Sequence, residues 1–159
     1  LKLINEKCGN KFSSLCEVNL NIIESFKNDM DVKIYNRASF VINENLRTHD
    51  AAIKLNEFKL MEIGNLMYQS HAGLKDLYEV SCNELDYLVD LTKVHDQIIG
   101  SRMMGGGFGG CTINLIHKRF IDEFIEEASK SYYEKFSINL TPIEINICDG
   151  VKIKNLQTD

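Results

Sequence analysis

Five of the chain's ten glycines fall in the six residues from Gly105 to Gly110. Ordering a glycine costs about 0.5–1 kcal/mol more than ordering an alanine, so a cluster this dense needs something only glycine supplies. Positive φ and close backbone approach are the two candidates. Strand-like residues flank the cluster. Ile98 and Ile99 read as the end of one strand, and Cys111, Ile113 and Leu115 alternate with Thr112, Asn114 and Ile116 as a second. Backbone N–H groups exposed between two strands can form a nest for an anion such as a phosphate. Gly105, Gly107 and Gly110 fit G-x-G-x-x-G, but a dinucleotide fingerprint requires a helix after the turn. The P-loop's Gly-Lys-Ser/Thr is absent, as are H-R-D and D-F-G, which accompany a protein-kinase glycine loop. Glycine content alone therefore leaves two readings open: an anion nest, or a tight hairpin under a neighbouring helix.

Other chemistry-bearing residues are sparse. The cysteines at 8, 16, 82, 111 and 148 are odd in number and contain no C-x-x-C, which favours reduced thiols in the cytoplasm. The histidines at 49, 71, 95 and 117 are scattered, and neither residue type shows zinc-site spacing, so no protein-held metal is expected. His71 has no nucleophile or relay carboxylate adjacent in sequence and reads as a buried histidine bonded to backbone. Arg37 reads as a solvated or salt-bridged helix arginine. Glu84 and Asp86 suit the first turn of a helix, with Ser81 and Glu84 forming a capping box.

The elements that must position these residues come in a clear order. Leu1, Leu3 and Ile4 suggest a helix stopped at Gly9-Asn10, and Leu15, Val18, Ile22, Ile23 and Phe26 have helical spacing. Lys33 to Phe58 is a strong helical candidate, with a bend or break expected over the polar stretch 43–50. Phe58 to Leu74 is a second helix, in which Gly64 permits close packing. A third runs from about Ser81 to His95. After the glycine hairpin, Arg119 to Phe136 is helical. Pro142 then opens a strand through Ile143, Ile145 and Ile147, Asp149-Gly150 turns, Val151 to Ile153 forms a short strand, and the last five residues are loose. Helices followed by strand–loop–strand–helix–strand give an α+β layer fold.

Length and composition agree with one ordinary globular domain: 159 residues, 44% hydrophobic and 26% charged. The formal net charge of −5 argues against nucleic-acid or anionic-membrane partners. No apolar run approaches the ~18–20 residues that span a bilayer. No signal peptide is recognisable, and a first residue of leucine suggests a chain beginning inside a longer product.

Two long blocks carry a family resemblance. Gly100-Ser101-Arg102-Met103-Met104-Gly105-Gly106-Gly107-Phe108-Gly109-Gly110-Cys111-Thr112 resembles the third conserved motif of the galactokinases, G-S/A-R-M-T-G-G-G-F-G-G-C-T, within the GHMP small-molecule kinase superfamily. Ser70-His71-Ala72-Gly73-Leu74-Lys75-Asp76-Leu77-Tyr78-Glu79-Val80-Ser81-Cys82-Asn83-Glu84-Leu85-Asp86 is similar to S-H-x-S-L-R-D-x-Y-E-V-S-C-P-E-L-D. Arg37 to Arg47 resembles the helix beginning R-A-x-H-V-V. The resemblance covers about residues 34 to 154. Met104 stands where a threonine is usual, Gly73 for a serine, Leu77 for an aspartate and Asn83 for a proline. The Met104 change removes a hydroxyl beside the glycines; the other three read as tuning of helix ends.

The resemblance implies a ferredoxin-like antiparallel sheet with additional helices over residues 32–159, preceded by a partial helical lead-in at 1–31. It implies transfer of the ATP γ-phosphate to the anomeric hydroxyl of galactose, with Mg2+, in the full-length enzyme. The sugar-binding, ATP-phosphate and catalytic-aspartate motifs of the family do not occur in these residues. No catalytic residue is therefore assigned here, and the chain alone is expected to be inactive and to bind no cofactor tightly. Gly105, Gly106, Gly107, Gly109 and Gly110 would support the ATP phosphate loop through their backbones and line a cleft between two halves. Ser101 and Arg102 are candidate ligand contacts, and Phe108 is expected to anchor the loop in the core. A non-catalytic galactose/ATP sensor on the same fold, and a kinase for N-acetylgalactosamine or arabinose, are the alternative readings.

Overall fold

The structure is a computed structural model and describes residues 1–9 and 11–146. The element order is α1 (Lys2–Cys8), a 3-10 turn at Leu15–Glu17, α2 (Leu20–Ser25), α3 (Val32–Asn56), α4 (Leu60–Asp76), α5 (Asn83–Thr92), β1 (Ile98–Met104), β2 (Cys111–Ile116), a 3-10 turn at Lys118–Phe120 and α6 (Ile121–Phe136). None of the described helices is long and apolar enough to cross a membrane.

The α+β expectation holds: helices come first and an antiparallel hairpin follows. The strands pair with Ser101 opposite Asn114, Met103 opposite Thr112 and Met104 opposite Cys111. The strand before the glycines does not end at Ile99. It runs on to Met104, because Ser101 and Met103 are wholly buried side chains that extend its inward-facing pattern. β1 is buried along most of its length, whereas β2 is half exposed.

Helix α4 lies against β1, and a pair of glycines sets how closely. A Cβ on Gly64 would lie 1.8 Å from the Ile99 carbonyl oxygen, and one on Gly100 would lie 2.4 Å from the Gly64 Cα. The two backbones meet where no side chain fits. Along α4 the same economy recurs at Gly73, where a Cβ would meet the Phe40 ring at 2.6 Å. The glycine at 73 therefore makes room for an aromatic from α3; it does not tune a helix end.

Helix α3 begins at Asp31, whose side chain accepts the Lys33 and Ile34 amides at 2.9 and 3.2 Å. It runs unbroken through 43–50, contrary to the expected bend. Its polar side chains there bond within the helix or to its neighbour: Asn43 Nδ2 donates to the Ser39 carbonyl at 2.8 Å, Thr48 Oγ1 donates to the Glu44 carbonyl at 2.8 Å, and Glu44 accepts from Ser70 on α4. The first half of α3 also covers an apolar cluster of Ile4, Val18, Ile23 and Phe26, which joins residues 1–31 to the body of the fold. A second cluster, Ile98, Phe120, Phe124 and Ala128, seats α6 beneath the hairpin.

Two local expectations are overturned. Ser81 does not cap α5: the cap position is Cys82, with no side-chain bond, and the Ser81 hydroxyl donates to Asp86 Oδ1 at 2.5 Å. A carboxylate one turn into the helix outcompetes the helix amide for that hydroxyl, since charged acceptors bind more strongly. Residues 141–146 form no strand, and Ile143 and Ile145 are 78% and 65% exposed. Alternation alone does not make a strand without a paired edge. The continuation through Ile147, the Asp149-Gly150 turn, the strand at 151–153 and the loose tail lie outside the described residues.

Candidate functional site

The glycine loop, residues 105–110, closes the β1–β2 hairpin and leads into a strand, not a helix. Gly105, Gly107, Gly109 and Gly110 all have positive φ, at 86°, 84°, 131° and 100°, and Phe108 between them has φ 59°. Gly107 is the most constrained. It is left-handed, and a Cβ there would lie 2.0 Å from the Val80 carbonyl oxygen. The next amide, that of Phe108, donates to that same oxygen at 2.7 Å. The loop thus rests on the segment between α4 and α5 by backbone alone. Gly105, Gly106 and Gly109 have no neighbour within 4 Å of an added Cβ, so their outer side is open.

Phe108 does not anchor the loop in the core. Its ring is 77% exposed, because a left-handed backbone at that position turns the side chain away from Val80 while its N–H turns toward it. Met104, where the resemblance predicts threonine, is exposed beside it. Ser101 is fully buried and its hydroxyl donates to Asn114 Oδ1 at 2.6 Å, tying β1 to β2. Arg102 donates from Nε to the Met103 carbonyl at 3.0 Å and reaches Glu44 with Nη1 at 3.5 Å. Both side chains are occupied within the chain. Arg37 is an exposed ion-pair partner of Glu79 at 3.1 Å, as its helix position predicts.

Beneath the loop sits a polar group that no local pattern announces. His71, 4% exposed, accepts the Met103 N–H on Nδ1 at 3.2 Å and turns Nε2 to Asp86 Oδ1 at 3.3 Å. An N–H donor facing Nδ1 requires that nitrogen unprotonated, which leaves the ring proton on Nε2 for Asp86. Burial holds His71 below its ordinary titration range, against the opposing pull of Asp86. Lys75 completes the cluster at 3.1 Å from Asp86 Oδ2, and this hydrogen bond raises its titration. The backbone contact of His71 is the one expected of it; the carboxylate is not, because Asp86 reads locally as a complement to the helix dipole. Glu44 is likewise missed. It gathers Arg47, Arg102 and Ser70 across three elements, a convergence that sequence spacing does not encode.

Residues 105–110 offer oriented backbone dipoles and carry no nucleophilic or cationic side chain, and the exposed thiol of Cys111 follows them. A groove of about 410 Å3 between α3 and α4 is lined by Phe40, Asn43, Arg47 and Gly73, and another of about 270 Å3 lies between α2 and α3. The glycine loop lines neither.

Comparison with known proteins places this arrangement. Residues 51–135, more than half of the chain, match the family model described as GHMP kinases C terminal. A galactokinase of Clostridium acetobutylicum is 44% identical over 116 residues, covering 73% of this chain and 30% of the relative. A galactokinase of Thermosipho africanus is 43% identical over 151 residues, covering 87% and 43%. The crystal structure of Lactococcus lactis galactokinase complexed with galactose superimposes with a TM-score of 0.79 at 30% identity, over 87% of this chain and 36% of that one. The chain thus spans about a third of the length of the first of these curated relatives. A glycine-looped hairpin packed under helices, within a stretch that fits the family model, shows that this chain belongs to the GHMP kinases, in their C-terminal domain family.

Proposed function

We propose that this chain is the C-terminal domain of a galactokinase, which transfers the γ-phosphate of ATP to the anomeric hydroxyl of galactose in the cytoplasm. The domain proper occupies residues 32–159, with 1–31 as a helical lead-in packed on α3. The observation that carries the reading is the glycine loop: positive φ at four glycines, seated on the Val80 carbonyl, inside a sequence 42–44% identical to galactokinases.

Phosphoryl transfer asks for positioned donors around charged oxygens and an aligned acceptor hydroxyl. The backbones of Gly105, Gly106, Gly107, Gly109 and Gly110 fit the side of such a site that supports the ATP phosphate loop, with Gly107 seated on Val80 and Gly105, Gly106 and Gly109 open on their outer side. They do so through backbone dipoles, which keep their orientation while charge moves. Ser101 ties β1 to β2 through Asn114, and Arg102 reaches from β1 to Glu44 on α3. Among the described residues no cluster of three or more His, Cys, Asp or Glu side chains is placed to hold a metal ion. Mg2+ enters with the ATP of the full-length enzyme, as the family resemblance implies.

The test is a substrate panel on the full-length protein carrying this sequence. ATP-dependent phosphate transfer is measured to galactose, N-acetylgalactosamine and arabinose, with calorimetry for binding. Galactose should be the preferred acceptor. Binding of galactose and ATP without turnover would replace the enzyme by a sensor, and preference for another sugar would reassign the substrate.

A further inference from the structure

We propose that His71 is the positioning residue of the glycine loop, fixing through the Met103 amide where the loop's backbone meets the nucleotide. This rests on the galactokinase reading above.

The geometry closes a circuit. Met103 lies two residues before Gly105, on the edge of β1 that β2 does not cover at this position, and its amide finds its acceptor in His71 Nδ1 at 3.2 Å. His71 Nε2 faces Asp86 Oδ1 at 3.3 Å. The Ser81 hydroxyl donates to that oxygen at 2.5 Å. Ser81 follows Val80 directly, and the Val80 carbonyl accepts the Phe108 amide at 2.7 Å. The base of the loop, at Met103, and its far side, at Phe108, are therefore tied to the same carboxylate, one through an imidazole and the other through a peptide. Lys75, at 3.1 Å from the second Asp86 oxygen, holds that carboxylate in place.

His71 does no acid–base chemistry in this arrangement. Its Nδ1 lone pair is taken by a backbone amide and its Nε2 proton faces a carboxylate. What it supplies is an acceptor at a fixed place for a strand-edge N–H that burial would otherwise leave unpaired. A buried imidazole bonded to the Met103 amide on one side and facing the Asp86 carboxylate at 3.3 Å on the other is a stiff spacer between α4, α5 and β1.

Two substitutions separate its two contacts. His71→Asn places its amide oxygen where Nδ1 stands and keeps the acceptor for Met103. His71→Gln reaches toward Asp86 and gives that acceptor up. In the full-length protein, His71→Gln should lower kcat/KM for ATP about tenfold, chiefly through KM for ATP, with KM for galactose within about twofold. His71→Asn should stay within about threefold of the parent in all three. A His71→Gln enzyme with parental ATP kinetics overturns the proposal, as does a folded His71→Asn enzyme impaired as much as His71→Gln. If His71→Gln does not fold, His71→Asn decides alone, since retained ATP kinetics support the acceptor role and a tenfold loss refutes it. Should the parent protein not phosphorylate galactose, the galactokinase reading fails, and His71 is judged by hydrogen exchange of the Met103–Phe108 segment. Protection kept in His71→Asn and lost in His71→Gln upholds it; equal protection in both sinks it.

Discussion

Gly106 and Gly107 are neighbours with opposite tolerances. Gly107 combines a φ of 84° with a carbonyl 2.0 Å from any Cβ, while Gly106 has ordinary φ and open space. Gly107→Val must push the loop off Val80, and we expect a loss of at least about tenfold in kcat/KM for ATP, with Gly106→Ala near the parent, in steady-state assays of the full-length protein. Equal effects at the two positions would make the loop mere connection. His71 gives a prediction in pH. Its burial lowers its titration, so the unfolded chain takes up its proton first as pH falls, and stability declines once pH drops below about 6.5. Of the charges around it, Asp86 and Asp90 oppose this shift, while Lys75 and Lys93 reinforce it. Urea unfolding at pH 8 and pH 5.5 should show a smaller drop in His71→Asn than in the parent; an equal drop would assign the acid sensitivity elsewhere. Much at this scale was legible. The backbone partner of His71 and the ion pair of Arg37 follow from their places on helices. Phe108 was misread because an aromatic inside a glycine run suggests burial, and only its left-handed φ reveals that the amide, not the ring, does the anchoring.

At the scale of elements, the decisive contact is α4 against β1. Gly64 faces the Ile99 carbonyl and Gly100 faces Gly64, so either glycine replaced by alanine must separate helix from strand. Gly64→Ala should destabilise the chain by about 1–3 kcal/mol, as overpacking at closely fitted sites does. Chemical denaturation checks this, and an unchanged midpoint would show that helix and strand can part freely. Close packing at Gly64 was readable from a lone glycine within a helical pattern, though its partner was not, because which strand meets which helix is a tertiary fact. The unbroken α3 was unreadable for a related reason. The polar residues 43–50 look like poor helix formers until Ser70, from another helix, supplies a partner for Glu44. The Ser81 cap failed in the same way, to a carboxylate five residues on.

The whole molecule is a helical layer with a single hairpin among its described residues, and the hairpin's loop opens outward instead of lining either groove. The order helices, strand, glycine loop, strand, helix was visible in the periodicity, and the family followed from two motifs 14 residues apart. The strand expected from Pro142 was not found over 141–146, since alternating isoleucines specify a strand only when an edge stands ready to receive them. A loop of backbone donors lacking nucleophile, base or free cation can shape a reaction site without running it. The most direct measurement compares ATP-dependent phosphorylation of galactose by the full-length protein and by this 159-residue chain alone. The account predicts turnover by the former and none by the latter. Turnover by the isolated chain, or none by the full-length protein, would contradict it.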